Sequence, residues 1–179
     1  MKIFINAAHT PHSPGAVYGG RNEHKDVLLF SGELKKSLCS HGITAEVFTG
    51  YSAPPEISEG DAVLIFHRGT SYKTAPKKGI SVTVRDDSSA CLQYEAFRLL
   101  KALERGFGMK YKGVHTATSS FPHRFIERTG TKRSFLFELG FIEDSCDNEL
   151  FEKNLTDASE LLAREISEIY KEGKNEDNP

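Results

Sequence analysis

Ser134-Phe-Leu-Phe-Glu-Leu139 is the stretch on which the fold turns. Its four large apolar residues fall on both parities, so a strand here has apolar cover on each of its faces. Ala62-Val-Leu-Ile-Phe66 repeats the pattern without a polar residue, and Lys2–Asn6 repeats it around Ile3-Phe4-Ile5. Strands of this kind belong to mostly parallel sheets sandwiched by helices. Working outward, Ile43–Phe48 reads as another strand, and so does the alternating Ile80–Val84, with its two valines and a threonine. Helical segments lie between them. Asn22 is placed to cap a helix starting at Glu23. Val27, Phe30, Leu34 and Leu38 then recur at helical spacing until Gly42 stops the helix. Ser88–Arg105 carries Leu92, Ala96, Leu99, Leu100 and Leu103 on one side and ends before Gly106 and Gly108. From Asn148 to Lys171 one apolar stripe, from Phe151 to Ile169, predicts a long helix or two in succession. The Pro-, Ser- and Gly-rich segment Thr10–Gly20 reads as a loop. Strands alternating with helices give a three-layer α/β domain over residues 1–171, with 172–179 as a polar tail or truncated linker.

Composition narrows the function classes. The 179 residues are 38% hydrophobic and 27% charged, as in an ordinary globular domain, and the net charge is -2. That balance gives no basic face for nucleic acid or anionic lipid, so neither is expected as a partner. No apolar run is long enough for a membrane span, and no secretory signal follows Met1. The expectation is a protein made in the cytoplasm that reaches any external substrate only after release. Cys39, Cys91 and Cys146 are widely spaced and form no C-x-x-C pair, which argues against a disulfide framework or a thiolate metal site. They are expected to be buried free thiols. No repeat and no low-complexity block is present.

Sites in open α/β sheets form beyond the carboxyl ends of strands. His9 lies in the loop after the first strand, His67 follows the Ala62–Phe66 strand, Glu138 closes the Ser134–Leu139 strand, and Glu23 opens the first helix. Two imidazoles and two carboxylates therefore converge on one edge of the sheet. Two histidines and a carboxylate make a recurrent catalytic zinc set with one position open to water, and a further carboxylate can carry the proton. Taken singly, a loop histidine is more often a surface residue than a ligand. Glu138 is the exception, because a charge among Phe135, Leu136, Phe137, Leu139 and Phe141 is costly unless it is paired or functional. The competing view is a glutamate pointing outward from an edge strand. His12 competes with His9 as a ligand, His24 is expected to face solvent on its helix, and His115 is either a groove residue or an ordinary loop histidine.

The order His9, Pro14-Gly15-Ala16, Glu23, an apolar strand ending in His67, then Phe137-Glu138-Leu139-Gly140-Phe141-Ile142 with Asp147 following resembles the zinc N-acetylmuramoyl-L-alanine amidases. This is the Amidase_3 family of bacterial autolysins, spore-cortex enzymes and phage endolysins. The resemblance runs from Met1 to about Tyr170, and its most specific part is the segment from Phe137 to Asp147. Gly79-Ile80 resembles the segment that the family places after its second histidine. The resemblance implies a twisted, mostly parallel six-stranded sheet flanked by helices on both faces. It implies one zinc ion held by His9, Glu23 and His67, with Glu138 as general base and acid. The implied reaction is hydrolysis of the amide between N-acetylmuramic acid and L-alanine in peptidoglycan, by a monomer. Two departures are visible. Ala8-His9-Thr10 stands where the family has Gly-His-Gly, and Arg68-Gly69-Thr70 follows His67 where a small residue and Asn are usual. Both are expected to alter the substrate groove more than the metal set. Two rival functions remain: a zinc peptidase cutting within the stem peptide, and a peptidoglycan-binding relative that no longer cuts. No wall-anchoring repeat is present, so attachment to the wall would come from the groove or from a module outside this chain.

Overall fold

In chain order the elements are β1 (Ile3–Ala7), β2 (Val17–Tyr18), β3 (Arg21–Asn22), α1 (Glu23–Ser40), β4 (Ala45–Thr49), β5 (Ala62–Gly69), β6 (Ile80–Val84), α2 (Ala90–Phe107), β7 (Tyr111–Thr116), α3 (His123–Ile126), β8 (Ser134–Phe141) and α4 (Ser145–Glu176). The computed structural model describes residues 2–52, 54, 56–71, 77–118 and 123–176, with side chains up to 172. The strands read from apolar runs are all present. Six of them form one sheet in the order β4-β1-β5-β8-β6-β7, and β2 with β3 makes a separate hairpin. Pairing is parallel throughout the sheet except between β6 and β8. The six-stranded, mostly parallel architecture is the expected one.

Strand parity divides the core in two. Ile3, Ile5, Leu64, Phe66, Phe135 and Phe137 face the helical layer, where Val27, Phe30, Leu34 and Leu38 of α1 meet Leu99, Leu103, Phe151 and Leu162 of α2 and α4. Phe4, Val63, Ile65 and Leu136 face the other way, onto Phe125 and Ile126 of α3 and the half-buried Phe48, Tyr51 and Ile57. The fold has three layers, and its helix cover is uneven. All three long helices share one face, and the short α3 with loops covers the second. That second face has less apolar surface to bury, because Asn6, His67 and Glu138 occupy its upper rows.

Local details follow the sequence closely. Asn22 Oδ1 accepts the Lys25 N–H at 3.1 Å and starts α1 at Glu23. The chain turns out of that helix through Gly42 at φ 74°. Helix α2 runs through Gly106 rather than stopping before it, and Gly108 caps it in the left-handed region. Helix α4 is non-helical at Asn154 (φ -113°, ψ 15°), whose side-chain amide donates to the Phe107 carbonyl at 2.9 Å. The stripe from Phe151 onward is thus carried by two helical segments in succession. The backbone of α4 continues to Glu176, while residues 177–179 of the expected tail lie outside the described residues. One expectation is overturned: Cys39, Cys91 and Cys146 are exposed, not buried. Each sits on a helix, and helical periodicity turns it outward while neighbours such as Leu38 take the inward places. Among the described residues no helix is long and apolar enough to cross a membrane.

Helices α2 and α4 pack tightly at Gly106, where an added Cβ would lie 2.3 Å from the Ala158 Cα. Alanine gains about 1 kcal/mol over glycine in an open helix, but here overpacking costs about 1–3 kcal/mol. Gly106→Ala is expected to lower the urea midpoint of unfolding. A midpoint raised by the substitution would show that the two helices part easily.

Candidate functional site

Four elements deliver side chains to the carboxyl ends of β1 and β5. His9 follows β1 and adopts φ 68°, the one positive φ outside glycine among the described residues. Such a backbone costs about 1–3 kcal/mol and is kept where surrounding contacts fix it. Here Gly50 N–H donates to the His9 carbonyl at 2.8 Å. Glu23, in the first turn of α1, is buried, and the main chain holds its carboxylate. Oε2 accepts the Ala16 N–H at 2.8 Å, and Oε1 accepts the Arg68 N–H at 3.1 Å. Gly15 leaves the necessary room, since a Cβ there would lie 2.4 Å from Glu23 Oε2 and 2.6 Å from the His9 ring. His67 lies within β5, which runs past Phe66, on the same face as Val63 and Ile65. Its register partner on β8 is Glu138, and Glu138 pairs in turn with Ser81 of β6. Period-two alternation therefore puts His67 and Glu138 side by side on one face. The Ser81 hydroxyl donates to Glu138 Oε2 at 3.4 Å. Glu138 is half-buried on a central strand, which removes the edge-strand alternative.

Glu23 Oε1 is 2.8 Å from His67 Nδ1 and 3.2 Å from His9 Nε2. Burial pushes its carboxyl up. The hydrogen bonds to His67 and His9 and the charge of His67 outweigh that and hold it well below the usual carboxylate range. Tyr51 lies 3.4 Å from His9 Nε2, and its ring is near-parallel to that of His67 at 6.1 Å. Burial, and then the Glu23 charge, push its phenol up, so it remains a hydroxyl. Ligand atoms of His9, Glu23 and His67 all lie within 4.8 Å of one another. Neighbouring donors on a tetrahedral zinc with bonds of about 2.1 Å sit roughly 3.4 Å apart, close to the spacings from Glu23. The three residues can hold a metal ion, and two imidazoles with one carboxylate suit zinc.

The group opens into a groove of about 400 Å³ that Glu138, Tyr51 and His123 also line. His123 was not legible in the sequence, because the segment before β8 has no periodicity to orient it. His12 is exposed and stands outside the metal group, and His115 is an exposed residue of β7 away from the groove lining. His24 corrects an expectation. It is buried, and its Nδ1 lies 3.0 Å from the Ala8 carbonyl, where it backs the loop that carries His9.

Arg68 is a second correction. Arg68, Gly69 and Thr70 line the groove as expected, but the Arg68 side chain lies on the helical face of the sheet, opposite His67. The guanidinium is fully buried, bonded to Asp26 at 2.8 Å and Asn148 at 2.6 Å, and it stacks 4.5 Å from the Phe151 ring. Asp147 supports the same end of the sheet. Its Oδ2 accepts the N–H groups of Gly79 and Phe141, each at 2.8 Å, and so ties the entry of β6 to the end of β8. Removing that acceptor orphans two buried donors at about 1–3 kcal/mol each. Asp147→Ala is expected to cost roughly 2–4 kcal/mol in urea unfolding, and Asp147→Asn, which keeps an acceptor, clearly less. Equal losses in the two variants would refute this role.

No protein-family model and no curated protein matches the sequence. Solved structures do match the fold. The N-acetylmuramoyl-L-alanine amidase AmiC2 of Nostoc punctiforme superimposes with a TM-score of 0.75 at 16% identity, over 96% of this chain and 97% of that one. The CwlD amidase of Clostridioides difficile, solved in complex with the GerS lipoprotein, gives 0.77 at 14% identity over 95% and 98%. The catalytic domain of the amidase CwlV from Bacillus (Paenibacillus) polymyxa gives 0.73 at 19% identity over 96% and 99%. The chain shares its whole fold with these amidases, and at such identities the likeness speaks for the fold alone.

Proposed function

We propose that the chain is a zinc-dependent N-acetylmuramoyl-L-alanine amidase, cutting the amide between the lactyl group of N-acetylmuramic acid and the L-alanine of the peptidoglycan stem peptide. The observation that carries this reading is the meeting of His9, Glu23 and His67 within 4.8 Å, at a groove that Glu138 also lines. The amidase fold of the whole chain supports it.

His9, Glu23 and His67 would hold one zinc ion, which when bound makes water acidic near neutral pH and polarises a carbonyl. Main-chain N–H groups of Ala16 and Arg68 keep the Glu23 carboxylate turned toward the two imidazoles. Glu138, next to His67 on the adjoining strand and open to the groove, takes a proton from the attacking water. The water oxygen bonds to the lactyl carbonyl carbon, the C–N bond breaks, and Glu138 returns the proton to the departing alanine nitrogen. Ser81 holds Glu138 Oε2 from the side. A groove that only bound the wall would have no need of a carboxylate beside the metal group, and this favours a catalyst over a binder. The substrate lies outside the cytoplasm, so the proposal includes release of the protein before it acts.

Digestion of purified peptidoglycan by the zinc-loaded protein, with mass analysis of the fragments, tests the reading. Free stem peptides beginning with L-alanine are expected, and cuts inside the peptide would point to a peptidase instead. The protein is expected to contain about one zinc per chain, as a three-ligand site requires. His67→Ala should lower zinc content and activity together; unchanged zinc would sink the ligand assignment. Glu138→Gln should keep its zinc while hydrolysis slows by about 10²–10⁴-fold. A variant as fast as its parent would remove Glu138 from the mechanism.

A further inference from the structure

The groove carries a third imidazole, His123 of α3, to which the amidase scheme gives no task. Its Nδ1 lies 3.2 Å from the Thr118 backbone nitrogen and 3.0 Å from the Thr118 hydroxyl. A backbone N–H can only donate, so Nδ1 is the acceptor and carries no proton. In the neutral ring the proton is then on Nε2. Protonating Nδ1 as well would set two donors against each other. The surroundings act in the same direction. Burial is the leading influence and lowers the imidazole pKa; the charge of Glu138 opposes it, and His67 and His115 add to it.

We propose that His123 is a substrate-contacting residue of this groove, an uncharged imidazole whose Nε2–H donates to a carbonyl oxygen of the muramoyl-peptide beside Glu138. The substrate rests on the amidase reading, and the tautomer rests on the Thr118 contact alone. An uncharged donor suits this position for an electrostatic reason. Glu138 must stay basic enough to accept a proton, and a cationic imidazole next to it would weaken that basicity. A neutral N–H can hold a carbonyl oxygen without that penalty.

Two measurements test the proposal. Two-bond ¹H–¹⁵N correlation of the histidine rings, assigned by the signal missing from His123→Gln, is expected to show the neutral Nε2–H tautomer at pH 7; an Nδ1–H ring or an imidazolium overturns the proposal. Steady-state kinetics on a soluble muramoyl-peptide follow, with zinc content and melting temperature checked for each variant. His123→Ala is expected to lose about tenfold in kcat/KM at unchanged zinc and melting temperature. His123→Gln, which keeps an N–H donor near the place of Nε2, is expected to recover most of the loss. Equal losses in Ala and Gln, or no loss in Ala, overturn the donor role. A parent protein that cuts normally while His123→Ala matches it refutes only the role of His123; a parent that releases no L-alanyl peptides refutes the amidase reading and the substrate named here with it.

Discussion

The pairing of β5 with β8 sets His67 beside Glu138, and a slip of one residue between these strands would turn one of them away from the other. Apolar pattern alone guards this register weakly here, because both strands are apolar on each face. Arg68 supplies what the pattern lacks. Its guanidinium reaches Asp26 on α1 and Asn148 on α4, and its Nη2 also donates to the Phe141 carbonyl at the end of β8. Moving Arg68 to the groove face would leave Asp26 and Asn148 without this partner. A buried cation held by α1 and α4 on the helical side thus fixes which face His67 occupies on the other.

The strands were legible because a buried parallel strand needs apolar residues on both parities, and few other structures do. The convergence of His9, Glu23, His67 and Glu138 was legible for a topological reason, since strand ends in such sheets share an edge. What escaped the sequence was mostly orientation. The apolar run stops at Phe66, so nothing before Arg68 says that the strand continues or which way the next side chain points. Strand β7 has Val114 as its only aliphatic residue and a glycine at φ 129°, and as an exposed edge strand it shows almost no pattern. Nothing within α1 itself shows that the His24 ring meets the Ala8 carbonyl of another element. The sequence marked Asp147 and Gly79 as separate features. Only the folded chain shows one carboxylate oxygen joining them.

The two carboxylates of the site occupy contrasting environments, and the contrast suits a division of labour. Glu23 is buried between two imidazoles and saturated by main-chain donors, so it stays an anion fixed in place. Glu138 is half-exposed, with one long contact to the Ser81 hydroxyl, and so is accessible to a reacting group. A fixed anion is the right partner for a cation. A reachable carboxylate is the right carrier for a proton.

The donors that aim Glu23 belong to the peptide bonds of residues 16 and 68, not to their side chains. Any residue except proline brings the same N–H, so the sequence at both positions can drift without disturbing the carboxylate. The side chain of residue 68 is therefore free to take up another task, and in this chain an arginine has done so as an internal brace. Evolutionary latitude of this kind lets a lineage rewrite the interior around the site while its geometry stays constant.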